Sequence, residues 1–135
     1  MKPFIRRKSS KAKAYIAKNK ANNKNVGSNT INKNYLLHHV FFWLKNPDSV
    51  IDKELLVKGI KTLAAIKTVR SIHVGLPAST EKRAVVDTSW QVSELMCFDD
   101  TDGQKVYQDD PLHHAFVDTY SHLWSRVLVY DATGA

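Results

Sequence analysis

The sequence predicts an α+β domain of βαββαβ order, the ferredoxin-like arrangement, on three observations. Residues 35–45, YLLHHVFFWLK, are apolar on both alternating faces, as a strand covered on both sides requires. Residues 49–66 carry apolar side chains at helical spacing behind a capping residue. Two apolar runs, a broken helical stretch and a final apolar run then complete the order.

The first strand ends at Asn46-Pro47-Asp48, a turn. Leu36, Val40, Phe42 and Leu44 flank His38 on one face, and Leu37, Phe41 and Trp43 flank His39 on the other. Ser49 with Asp52 opens a helix that runs to about Ile66 and places Leu56, Ile60, Leu63 and Ala64 on one face. Val69 to Val74 reads as a second strand, stopped by Gly75-Leu76-Pro77. Val85 to Phe98 reads as a long third strand that alternates Trp90, Val92, Glu94, Met96 and Phe98 against Gln91, Ser93, Leu95 and Cys97, paired antiparallel with the second. Glu94 shares a face with Trp90 and Met96 and is either a cavity carboxylate or a charge at the sheet edge, with the edge expected. A short helix over 99–108 breaks at Asp109-Asp110-Pro111, where Asp110 caps a second segment with Pro111 at its first position. Arg126 to Asp131 closes the domain as the fourth strand.

A chain of 135 residues is one domain's worth. Its one cysteine, Cys97, rules out an internal disulfide and fits a reducing, cytoplasmic setting. The apolar run from Val40 to Leu44 is far short of the ~20 residues of a membrane span. The charge of +7 is unevenly placed: residues 1–33 hold ten Lys or Arg and no acid, while residues 34–135 hold ten basic and thirteen acidic residues. The expected organisation is therefore a basic, disordered tail over 1–33, too poor in large apolar residues to fold, and a mildly acidic domain over 34–135. A basic tail is open to nucleic acid or an anionic membrane surface, but it lacks aromatic interleaving and any binding motif, so nucleic acid is not the expected partner.

Five strings, in order along the domain, are similar to one known family. They are His-His-Val-Phe-Phe-Trp-Leu-Lys (38–45), Ile72-x-Val74-Gly75, Arg83-x-Val-Val-Asp87-x-Ser-Trp90, Tyr107-Gln-x-Asp-Pro-x-His113-x-x-Phe116-Val117 and Val-x-Val-Tyr-Asp (127–131). Together they resemble the stress-responsive dimeric α/β-barrel (Dabb) family. The resemblance implies a homodimer in which two ferredoxin-like protomers pack sheet against sheet into a barrel with helices outside. That agrees with the two-sided apolar first strand, since an isolated protomer would expose one apolar sheet face.

Some members of that family are polyketide cyclases, and the resemblance implies a general base at His113 and a hydrogen-bond donor at Tyr107. The residues support a role for His113 independently, because the start of a helix favours a neutral imidazole, although Asp109 and Asp110 oppose this. The alternative is that His113 and Pro111 only mark the fold. The cyclase-like pattern expects a further polar pocket residue on the third strand, where this chain has Val92. His38, Trp90 and Phe116 are the candidate ligand-lining side chains, around a small apolar molecule. No cofactor is implied, and His39, His73, His114 and His122 lack zinc-binding spacing. A cation between His38, His113 and Glu94 is the minor alternative.

Overall fold

The computed structural model describes residues 9–14 and 29–135. The disorder and the binding role expected of residues 1–33 fall mostly outside the described residues. Within them, residues 10–14 are helical, started by Ser9, whose Oγ accepts from the Ala12 N–H at 3.2 Å. The remaining compact unit runs from Asn32 to Ala135.

That unit follows the order β1 (Leu36–Leu44), α1 (Val50–Thr62), β2 (Ser71–Gly75), β3 (Val92–Phe98), α2 (Thr101–Asp109), α3 (Pro111–Tyr120) and β4 (Trp124–Thr133). The strands form one antiparallel sheet in the order β2-β3-β1-β4, the ferredoxin-like arrangement. Strand β1 therefore lies inside the sheet, which is why its backbone can be so uniformly flanked by large apolar side chains.

The pleat sorts those side chains. Leu36, His38, Val40, Phe42 and Leu44 are buried under the helices, while the alternate residues are half-buried on the far face. Helix α1 begins where Ser49 Oγ accepts the Asp52 N–H at 3.2 Å and lays Leu56, Gly59 and Ile60 on the sheet. Gly59 is needed there: a Cβ at this position would come within 2.6 Å of the Tyr120 ring on α3. The helix is shorter than expected, because a 3-10 turn over Leu63–Ala65 tightens the winding. That change of phase turns Ala64 outward and buries Ile66 instead.

Two further expectations are corrected. Strand β3 starts at Val92, seven residues later than the alternation predicts. The chain turns first at Ala84–Val85, where the Arg83 carbonyl accepts the Val86 N–H at 2.9 Å, and again at Asp87, whose Oδ1 accepts the Ser89 N–H at 2.7 Å and whose carbonyl accepts the Trp90 indole N–H at 2.9 Å. Strand β4, in contrast, extends beyond its expected ends on both sides.

Candidate functional site

Helices α2 and α3 meet at Asp110, which ends one and caps the other through its carboxylate on the Leu112 N–H at 2.8 Å. Pro111 at the first position of α3 supplies the fixed φ and lacks the N–H that would be orphaned there. This break hangs Tyr107 and His113 over the buried face of β1 and β3. The two helices and the sheet enclose a cleft of about 190 Å³, whose apolar wall includes Val40, Phe42, Phe116, Val127 and Val129. The cleft reaches β4, where Val127 and Val129 remain partly exposed.

Five polar side chains line it, His38, Glu94, Tyr107, Gln108 and His113, and four of them carry titratable groups. Tyr107 is 1% exposed and its hydroxyl donates to Glu94 Oε1 at 2.9 Å. Its ring meets His113 edge-on at 4.9 Å and His38 at 5.8 Å. His38 Nδ1 lies 2.5 Å from Asp131 Oδ1, its neighbour across the β1–β4 pair. With Asp131 Oδ1 accepting from the Nδ1–H, the neutral tautomer presents Nε2 to the cleft as an acceptor.

Burial sets the protonation of Glu94, Tyr107 and His113. Glu94 is 2% exposed, and loss of water pushes its carboxyl up to about 7 against the pull of the Tyr107 hydrogen bond. Burial first, then the Glu94 charge and hydrogen bond, hold the Tyr107 hydroxyl protonated far above its ordinary range. Burial, then His114 and His38, lowers His113 below an ordinary imidazole, with Asp110 opposing. A neutral imidazole, a protonated phenol and a carboxyl that titrates near neutrality thus face one apolar cleft. This set can accept, donate or exchange a proton with a small polar group on an otherwise apolar molecule.

The structure brings His38, Tyr107, His113 and Phe116 together and places Trp90 elsewhere. Trp90 precedes β3, so the alternation does not govern it, and its ring packs edge-on to Phe41 at 5.2 Å on the opposite face of the sheet. There it shares a shallow depression with Trp43, Leu128 and Tyr130. For Glu94 the structure favours the cavity carboxylate over the expected edge charge: β3 is an interior strand and the side chain is buried on the core face. Its place in the alternation with Val92, Met96 and Phe98 is the signal that could have found it. Asp131 had no such signal, because only the β1–β4 register sets it against His38. Among the described residues, no three of His, Cys, Asp and Glu are grouped to hold a metal ion.

Comparison with known proteins agrees with this architecture. Residues 36–133 match the model of the stress responsive A/B barrel domain, Dabb. A Dabb family protein of ferredoxin-like fold from Mesorhizobium loti is 25% identical, with a TM-score of 0.61 over 75% of this chain and 97% of that one. A dimeric protein of unknown function and ferredoxin-like fold from Bacteroides fragilis is 24% identical, with a TM-score of 0.56 over 74% and 96%. A hydroxynitrile lyase from Passiflora edulis shares the fold at 14% identity, with a TM-score of 0.62 over 75% and 94%. No curated protein matches the chain.

Proposed function

The chain belongs to the stress responsive A/B barrel (Dabb) family, and on that premise we propose that it works as a homodimer whose protomers each bind a small, largely apolar molecule in the sheet–helix cleft. The observation that carries this reading is the cleft itself, apolar along most of its wall and polar where Glu94, Tyr107, Gln108, His38 and His113 line it. A dry cavity of roughly 150 Å³ accepts a benzene-sized molecule. The cleft of about 190 Å³ therefore fits a single-ring compound or a short aliphatic chain with one polar group.

The homodimer rests on the far face of the sheet. Phe41, Trp43, Trp90, Leu128 and Tyr130 gather there with no covering layer among the described residues, and Tyr130 is 61% exposed. An apolar patch of this kind is uncommon on a monomer. A second copy of the same face would cover it, in line with the dimeric relative from Bacteroides fragilis.

Methyl-resolved NMR with a panel of single-ring ketones, aldehydes and alcohols tests the cleft. Binding there shifts Val40, Val127 and Val129 saturably and leaves Leu128, on the other face, unmoved. Shifts confined to Leu128 would place the ligand between protomers and refute the proposal.

One observation favours a second reading, an enzyme of polyketide-cyclase-like carbon–carbon chemistry without cofactor. A neutral His113 beside Tyr107 is arranged as a general base next to a hydroxyl that can polarise a carbonyl oxygen. Proton exchange at the α-carbon of an aryl methyl ketone in D₂O measures it. The enzyme reading expects His113→Ala to stay folded and lose the exchange; equal exchange in that variant would reject it.

A further inference from the structure

The Tyr107 hydroxyl has one proton and, among the described residues, one hydrogen-bond partner, the Glu94 carboxyl 2.9 Å away. Both side chains are almost wholly withdrawn from water, so neither can turn to solvent for a substitute partner. The direction of this single bond therefore determines what Tyr107 offers to the cleft. We propose that Glu94 is a positioning residue that selects the ligand through Tyr107: protonated, it donates to the phenol oxygen and frees the phenol proton for a ligand carbonyl; ionised, it takes that proton and leaves Tyr107 only lone pairs, which suit a hydroxyl-bearing ligand. The ligand class follows as a small apolar ketone or aldehyde below neutrality, with alcohols accepted on both sides of it. This rests on the cleft being the binding site.

The proton exchanged is Glu94's own, taken from or given to solvent, and no covalent bond to the ligand is made. Burial brings this exchange into the neutral range, where an exposed glutamate would stay ionised. The other groups around the carboxyl need separating from it. They are His38 on β1, paired to Asp131 on β4, and His113 on α3, with His114 and Asp110 beside it. Across the β2–β3 pair Glu94 faces Val74, and α1 buries only Leu56, Gly59 and Ile60, so neither element brings a charge.

The test is a titration of the intact chain with acetophenone and with 1-phenylethanol between pH 5.5 and 8.5, in the wild type, Glu94→Gln and Tyr107→Phe. The two probes share a shape and differ in that only the alcohol can donate. In the wild type, acetophenone affinity is expected to fall by about tenfold as pH rises through 7, the worth of one hydrogen bond. Phenylethanol should change less than threefold. Gln can point either its oxygen or its amide at the phenol, so Glu94→Gln should bind acetophenone at a pH-independent affinity. Tyr107→Phe should remove the difference between the probes. A flat acetophenone profile in the wild type, or a slope that survives Glu94→Gln and so belongs to the histidines, would overturn the proposal. Failure of both probes to bind at any pH would instead remove the cleft reading on which it stands.

Discussion

The Tyr107 hydroxyl donates to a Glu94 carboxylate that lies inside the core, 2% exposed, on a strand flanked by neighbours on both sides. The bond ties α2 to β3 at the back of the cleft, and a carboxyl held there weakens the fold when it ionises.

Stability should therefore fall as pH rises through the neutral range, for a reason specific to Glu94. Its free-chain value is 4.5 and its folded value about 7. Below 4.5 both states hold the proton; between 4.5 and 7 the unfolded chain releases it first, which favours unfolding; above 7 the full penalty of about 3 kcal/mol is present. Glu94→Gln should therefore be the more stable protein at pH 8 and lose that advantage by pH 4.5, measured by urea unfolding. A variant less stable than wild type at pH 8 would mean that the ionised bond is net stabilising.

His113 contributes an opposite limb. Its folded value is lowered, mainly by burial, so in the window just below 6.5 the unfolded chain takes up a proton that the folded chain resists. Stability from this group is present above 6.5 and is lost as pH falls through that window. In Glu94→Gln, where the opposing limb is gone, acid destabilisation should stand alone, and the His113 ring protons should titrate below an ordinary histidine by NMR. A His113 titration above 6.5 would show that Asp110 outweighs burial.

How much of this was legible in the sequence depends on how local each feature is. The Ser49 cap, the Asp110-Pro111 break and the alternation of β1 are set by neighbours within four residues, and all three read directly. The start of β3 was misread because Asp87 bonds to Ser89 and Trp90 in a turn whose residues otherwise alternate like a strand. At the site, Tyr107 and His113 flank one helix break and were found together, and the alternation of β3 puts Glu94 on the face of Val92, Met96 and Phe98, whereas Asp131 meets His38 only through the β1–β4 register. That is a tertiary fact no local period encodes.

The far face of the sheet gives a prediction about assembly. Leu128→Glu would place a charge among Phe41, Trp43, Trp90 and Tyr130, where a second protomer is proposed to sit. Sedimentation should find a dimer for the wild type and a folded monomer, or a protein of much weaker self-association, for the variant. An unchanged dimer would move the interface to another surface.

Gly59→Ala tests the close approach of α1 and α3. In an open helix the change would stabilise by about 1 kcal/mol. Here the new methyl meets the Tyr120 ring at 2.6 Å, and displacing that ring should turn the gain into a net loss of about 1 kcal/mol in thermal unfolding. A raised melting temperature would show that Tyr120 moves aside at no cost.

The central claim is that the cleft between the sheet and α2–α3 is a binding site, and filling it is the most direct measurement. Val129 lies on its open side at 43% exposure, so Val129→Trp can occupy the cleft without burying a new group in the core. Calorimetric titration of acetophenone at pH 6 should give saturable binding to the wild type and a loss of at least tenfold in the variant, with melting temperature retained. Equal affinity in a folded Val129→Trp protein would contradict the account.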